Sequence, residues 1–171
     1  AGQAAYGLVF GVGSGAAGPF RIRANTNTTF DRTFTLGTGG ITVNAGVQGV
    51  SFSNTDTAGT PTGNLNVVLQ ANQSWTNHST SPIDFSARLI GSQNINLTKS
   101  GSGSLILSGD NRTAVSGSTT GFGGRIVVNQ GTLIVRSVNA LGSFDSKYDP
   151  NINPTLVSDT VVTSGGTLDI S

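Results

Sequence analysis

Few residues in this chain could carry acid–base or nucleophilic chemistry. There is one histidine, His78, no cysteine, and eight acidic residues, all of them aspartate. A catalytic triad needs a nucleophile and a carboxylate brought to the imidazole. The stretch WTNHST around His78 has no nucleophile-elbow pattern, so His78 reads as a surface turn residue. Cleavage of a glycosidic bond needs two carboxyl groups at a defined separation, and Asp110, Asp145, Asp149, Asp159 and Asp169 are the residues to test for it. Asp110, in SGDN, suits a turn. Asp145 and Asp149 flank Lys147 in an insertion, where charge is solvated. Asp169 alternates with Leu168 and Ile170 and is expected to face solvent. No catalytic residue is assigned.

Without cysteine, and with a single histidine, neither disulfides nor clustered His/Cys metal sites are available. Asp149, Asn151 and Asn153 in DPNIN offer alternating oxygen ligands of the kind hard cations take. They are the weak metal candidates, and a proline-bounded loop without metal is the preferred reading. GVGSGAAG at 11–18 matches a dinucleotide loop only by glycine content, and Pro19 follows where a helix would have to start, so a phosphate role is rejected. Trp75, sharing an alternating face with Gln73 and Asn77, could stack a sugar, but a core position is the simpler expectation. Five glycosylation sequons (Asn27, Asn72, Asn77, Asn96 and Asn111) arise easily in a chain so rich in Asn and Thr. No cofactor is called for.

The elements that would have to position such residues are strands. The chain has 171 residues, enough for one domain with a substantial core, and 25 of them are glycine. Glutamate and methionine are absent, Thr, Ser, Val, Ile and Asn are abundant, and no stretch shows helical apolar spacing. The hydrophobic fraction, 35%, falls in short alternating runs, which argues for order over disorder. PFRIRA, GITVN, VSFSN, NLNVVLQ, IDFSARL, NINLT, SLILS, RIVVN, TLIVR, TVVT and TLDIS all read as strands, separated by Gly/Ser/Asn/Thr turns. In IDFSARL the inward set is Ile83, Phe85, Ala87 and Leu89. The net charge of +1 predicts no strong attraction to nucleic acid or anionic lipid. No apolar run reaches the length of a membrane span, and AGQAAYGLVFGVG lacks the basic leader of an intact signal peptide.

One string recurs. GSLIL at 103–107, GTLIV at 131–135 and GTLDI at 166–170 are spaced by 28 and 35 residues, with a looser copy, GNLNV, at 63–67. Each repeat supplies a glycine for a tight corner (Gly103, Gly131, Gly166) and two inward apolar positions, Leu105 and Leu107, Leu133 and Val135, Leu168 and Ile170. A turn–strand–turn–strand unit of this length cannot bury its own apolar face, whereas stacked units create a continuous core. The fold predicted is all-β without substantial helix: a parallel β-helix, or β-solenoid, with roughly 20 to 28 residues per coil and rungs about 4.8 Å apart. It forms a single domain over 1–171, with 1–60 as N-terminal coils or cap and 61–171 as repeat-bearing coils carrying an insertion at 143–156.

LTKSGSGSLILSGDN at 97–111, GGRIVVNQGTLIV at 123–135, NALGS at 139–143 and VVTSGGTLDI at 161–170 resemble the autotransporter-associated β-strand repeat of bacterial surface proteins. VVLQANQSWTNHS at 67–79 is similar to what precedes such repeats. The resemblance covers about residues 95–171 and departs from the pattern in the 143–156 insertion and over 1–60. It implies a right-handed parallel β-helix in an exported bacterial protein, located at the cell surface or outside the cell, and it implies no catalytic residues.

The functional expectation is therefore a non-enzymatic structural element, either a stalk segment or a subunit of an extracellular fibre. Its partner would be a second copy stacked end to end, or neighbouring repeats of a longer chain. TLDIS ends in a strand without a polar cap, and YGLVFGV, with Tyr6, Leu8, Val9 and Phe10, is either a first coil or a strand that pairs with another subunit. The alternative is a module that binds or processes cell-surface glycans, with the insertions 54–63 and 143–156 as its recognition surface.

Overall fold

A computed structural model of the chain describes residues 2–13, 18–24, 31–54, 64–92, 94–111, 121–142 and 159–171. Among these residues every regular element is a strand: β1 Gln3–Phe10, β2 Phe20–Arg23, β3 Arg32–Val43, β4 Val50–Ser53, β5 Leu65–Leu69, β6 Gln73–Asn77, β7 Ile83–Phe85, β8 Arg88–Ile90, β9 Asn96–Ser100, β10 Ser104–Leu107, β11 Arg125–Val135 and β12 Thr160–Ile170. Every strand pair is parallel, and the strands link into one continuous sheet wound into a β-solenoid.

The sheet bends into three faces. The first halves of β1 and β3 stack with β5 and β8. The second halves of β1 and β3 stack with β6, β9 and the first parts of β11 and β12. The third face runs β2, β4, β7, β10 and then the second parts of β11 and β12. On the middle face one inward column reads Leu8, Ile41, Trp75, Lys99, Val128 and Val162. Successive members are 33, 34, 24, 29 and 34 residues apart, so most coils are longer than the 20 to 28 residues expected. The insertion at 54–63 falls in the second interval and that at 143–156 in the last.

The recurring strings occupy one place on the third face. Leu105, Leu133 and Leu168 are direct partners, as are Leu107, Val135 and Ile170. Toward the other end the same two columns continue through Ile83 and Phe85, Val50 and Phe52, and Phe20 and Ile22. The looser copy does not belong there. Leu65 and Val67 pair with Arg32 and Phe34 on the first face, so GNLNV is a likeness of sequence without equivalence of position.

The repeat glycines answer to local geometry. Gly131 has φ 74°, a left-handed conformation that disfavours a side chain, and a Cβ there would overlap the carbonyl oxygens of Gly101 and Gly103. Gly103 has ordinary φ but lies so close to the Ser79 carbonyl and the Asn77 side chain that a Cβ could not enter. Gly166 is paired directly with Gly131. The predicted strand IDFSARL is in fact two, β7 and β8. The chain turns between them, where the amides of Ser86 and Ala87 both donate to the Phe52 carbonyl at 2.9 and 3.0 Å. Ile83, Phe85, Ala87 and Leu89 are nonetheless all buried, because the inward alternation passes through the corner.

Residues 1–60 contribute coils to the same solenoid where they are described. β1 to β4 pair in register with later strands, and Ile41, Val43, Val50 and Phe52 belong to the common core. At its centre Phe52, Trp75 and Phe85 form an aromatic group, with ring centroids 4.9 to 6.5 Å apart.

Buried asparagines tie coils together. The Leu89 amide donates to Asn111 Oδ1, and Asn111 Nδ2 donates to the Ala140 carbonyl, both at 2.6 Å. Asn77 Nδ2 donates to the carbonyls of Ser81 and Ser104 at 2.9 Å, and its Oδ1 accepts the Ser79 amide at 2.9 Å. Both residues head sequons, yet in the fold their amides are enclosed and in use. Asn111→Ala leaves two buried backbone groups without their partners, and each such loss costs about 1–3 kcal/mol. The expected destabilisation is therefore about 2–4 kcal/mol by denaturant titration. A midpoint unchanged from the parent would show that these bonds do not hold the coils.

Candidate functional site

The described aspartates are dispersed. Asp159 is held by Arg125 in a two-point ion pair, with Nε to Oδ1 at 2.5 Å and Nη2 to Oδ2 at 3.0 Å. Asp84 and Asp169 stand in the same outward column of the third face, separated by Ile106 and Ile134. Three rungs at the usual strand spacing put them roughly 14 Å apart, beyond the reach of a two-carboxylate glycosidase pair. Asp110 is exposed after β10. Asp145, Asp149, Asn151 and Asn153 lie outside the described residues, and so does most of the 54–63 loop. Among the described residues no three His, Cys, Asp or Glu side chains gather as metal ligands, and no helix is long and apolar enough to cross a membrane. His78 is exposed beyond β6.

Trp75, Gln73 and Asn77 do share a face, but it is the inward one, and all three are buried. The indole Nε1 donates to Gln73 Oε1 at 2.9 Å, and Gln73 Nε2 donates to the Leu36 carbonyl at 3.4 Å. Sugar stacking on this tryptophan is therefore ruled out by its place in the core.

An interior cation went unread in the sequence. Lys99 follows Ile95 and Leu97 in inward phase and is fully buried. Its Nζ donates to the carbonyls of Ser100 and Gly101 at 2.8 Å and of Gln130 at 2.9 Å. Desolvation lowers its pKa from the ordinary 10.5 to about 8. Gly131 roofs the ammonium, since a Cβ there would come within 3.0 Å of Nζ. The signal was present in KSGSGS: a lysine at the parity of two inward apolar residues, followed by glycines that leave carbonyls free to turn inward. Its contacts join two coils, so its role is positional.

Two surface features remain. An open groove of about 370 Å³ lies on the outside of the third face, lined by Arg21, Arg23, Ser51, Ser53, Asp84 and Ser86. It contains one carboxylate. The other feature is the pair of end rungs. Among the described residues β1 and β2 are paired along one edge only, with β3 and β4, and β12 is paired only with β11.

The first and last described rungs continue the core columns. Leu8, Phe10, Phe20, Ile22 and Leu168 are half-buried against the core, and the rings of Phe10 and Phe20 are 5.3 Å apart. Tyr6 and Val9 are 78% and 75% exposed at one end, and Ile170 is 74% exposed at the other. The four residues singled out in YGLVFGV thus sit on an end rung, with Leu8 and Phe10 turned to the core and Tyr6 and Val9 turned away from it. No family model matches the chain, and neither the curated proteins nor the solved structures compared with it give a match.

Proposed function

We propose that the chain is a non-enzymatic structural element of the bacterial cell exterior, a length of β-solenoid that stacks end to end as the subunit of a fibre or as one section of a surface stalk. The observation that carries this reading is the solenoid lattice itself: every described strand pair is parallel, the inward columns make one continuous apolar core, and the described aspartates stand apart from one another. Such a lattice grows by repeating its rung, through a further repeat in a stalk or a second copy in a fibre. The resemblance of residues 95–171 to autotransporter-associated repeats supports the cell-surface setting.

Electron microscopy of the purified 171-residue chain across concentrations tests the reading. Long uniform fibres of one coil's width, increasing with concentration, are expected. Discrete short rods at every concentration would overturn self-assembly and turn attention to the outer groove as a glycan-binding surface.

A further inference from the structure

We propose that the open groove on the outside of the third face binds an acidic polysaccharide, with Arg21 and Arg23 holding its carboxylate or sulfate groups and Asp84 and Ser51 holding its hydroxyls. This goes beyond the structural role and does not rest on self-assembly. The groove, of about 370 Å³, crosses three consecutive rungs, β2, β4 and β7. Its floor is the outward side of the sheet, and the core residues Val50, Phe52, Ile83 and Phe85 lie in the same strands. It opens away from the solenoid axis, so neither its floor nor its charges depend on what pairs beyond β2.

Two outward columns line the groove. One runs Arg21, Ser51 and Asp84, and the other begins with Arg23 and Ser53, with Ser86 on the next rung. Arg21 and Arg23 alternate with Ile22, so their Cα atoms are about 6.6 Å apart on one side of the strand. Both residues are exposed, and neither guanidinium makes an ion pair or hydrogen bond among the described residues. Each guanidinium is a planar fork that grips an oxyanion at two points, and two forks side by side suit successive anionic groups of a polymer. Asp84 is likewise exposed and without a partner among the described residues. It stands two rungs from Arg21, about 10 Å along the axis, too far for the two charges to pair. The groove therefore keeps a cationic end and an acceptor end. A saccharide answers both, with its anionic group at the arginines and its hydroxyls donating to Asp84. Pro19 and Pro82 border the groove and give the C–H face of a sugar ring an apolar surface to lie against. Nucleic acid fits less well, because its unbroken line of phosphates would have to pass Asp84 and the net charge of the chain is only +1.

Calorimetric titration of the purified 171-residue chain with oligogalacturonate, dextran sulfate and neutral dextran tests this, with duplex DNA as the polyphosphate control. Saturable, salt-sensitive binding of oligogalacturonate or dextran sulfate is expected, and none of dextran. Which of the two binds more tightly identifies the anionic group as carboxylate or sulfate. Arg21→Gln and Arg23→Gln are each expected to weaken that binding about tenfold, the effect of losing one charge-assisted contact. Asp84→Asn separates recognition from simple charge attraction. It is expected to weaken glycan binding about fivefold by removing an acceptor of sugar hydroxyls, whereas a general anion patch would bind more tightly once the carboxylate is gone. All three side chains are at the surface, so circular dichroism would show unchanged folding in each variant. Absence of glycan binding at millimolar concentration, binding of duplex DNA as tight as that of the glycans, or tighter glycan binding by Asp84→Asn would overturn the proposal. None of these outcomes bears on whether the chain forms fibres.

Discussion

Replacing Trp75 with alanine is expected to destabilise the fold by about 3–5 kcal/mol, the range for removing a fully buried large aromatic. Trp75 fills the centre of the solenoid between Ile41 and Lys99, in contact with Phe85 of its own coil and Phe52 of the neighbouring one. Truncation would open a cavity that these rings cannot collapse into, because each is held by the strand ladder of its own coil. The change also removes the indole N–H from Gln73 Oε1, leaving a buried acceptor without its donor. Trp75→Phe keeps a ring but loses that bond, so its cost should be smaller. Denaturant titrations followed by circular dichroism compare the three chains. A loss below about 1 kcal/mol for Trp75→Ala would mean that this aromatic group is not the centre of the core. Since Trp75 is the chain's one tryptophan, its fluorescence in the parent protein reports the opening of that centre directly.

The fold class and the inward residues were legible because alternation is a local property, and in a solenoid it runs on around the corners. Ile83, Phe85, Ala87 and Leu89 were identified correctly even though the chain leaves one face and enters another at Ser86 and Ala87. For the same reason the face itself was not legible. Which side a string occupies depends on how many residues the preceding turns consume, so GNLNV, similar to GTLIV, lies on a different side. Coil length was underestimated because the 28-residue repeat spacing comes from one of the shorter coils. Nor was it legible that Arg21 and Asp169 share an outward column, since residues 148 positions apart are aligned only through the stacked register of the rungs between them.

Lys99 was missed because inward parity was credited only to apolar residues, and its burial has a measurable consequence. Stability is expected to rise as pH increases from about 8 toward 10.5, opposite to the usual loss on alkaline titration. In the folded chain the Lys99 ammonium has lost its water, and its pKa falls from 10.5 to about 8. Below pH 8 folded and unfolded chains both carry the proton, and the folded state bears the whole desolvation cost. Between 8 and 10.5 the folded chain has released the proton while the unfolded chain retains it. The unfolded state then binds more protons, so stability climbs with pH. Above 10.5 both are neutral and the contribution is constant. At about 1.4 kcal/mol per pKa unit the rise approaches roughly 3 kcal/mol. The three carbonyl acceptors explain why the charged form is tolerated at neutral pH at all. Lys99→Met removes the titrating group, so the difference between parent and variant unfolding free energies, measured from pH 7 to 11, isolates this residue from the tyrosines and Lys147. A variant whose curve runs parallel to the parent would mean that Lys99 is solvated in the folded chain. A parent that loses stability relative to the variant over that range would mean that the carbonyl cage favours the ammonium by more than burial penalises it.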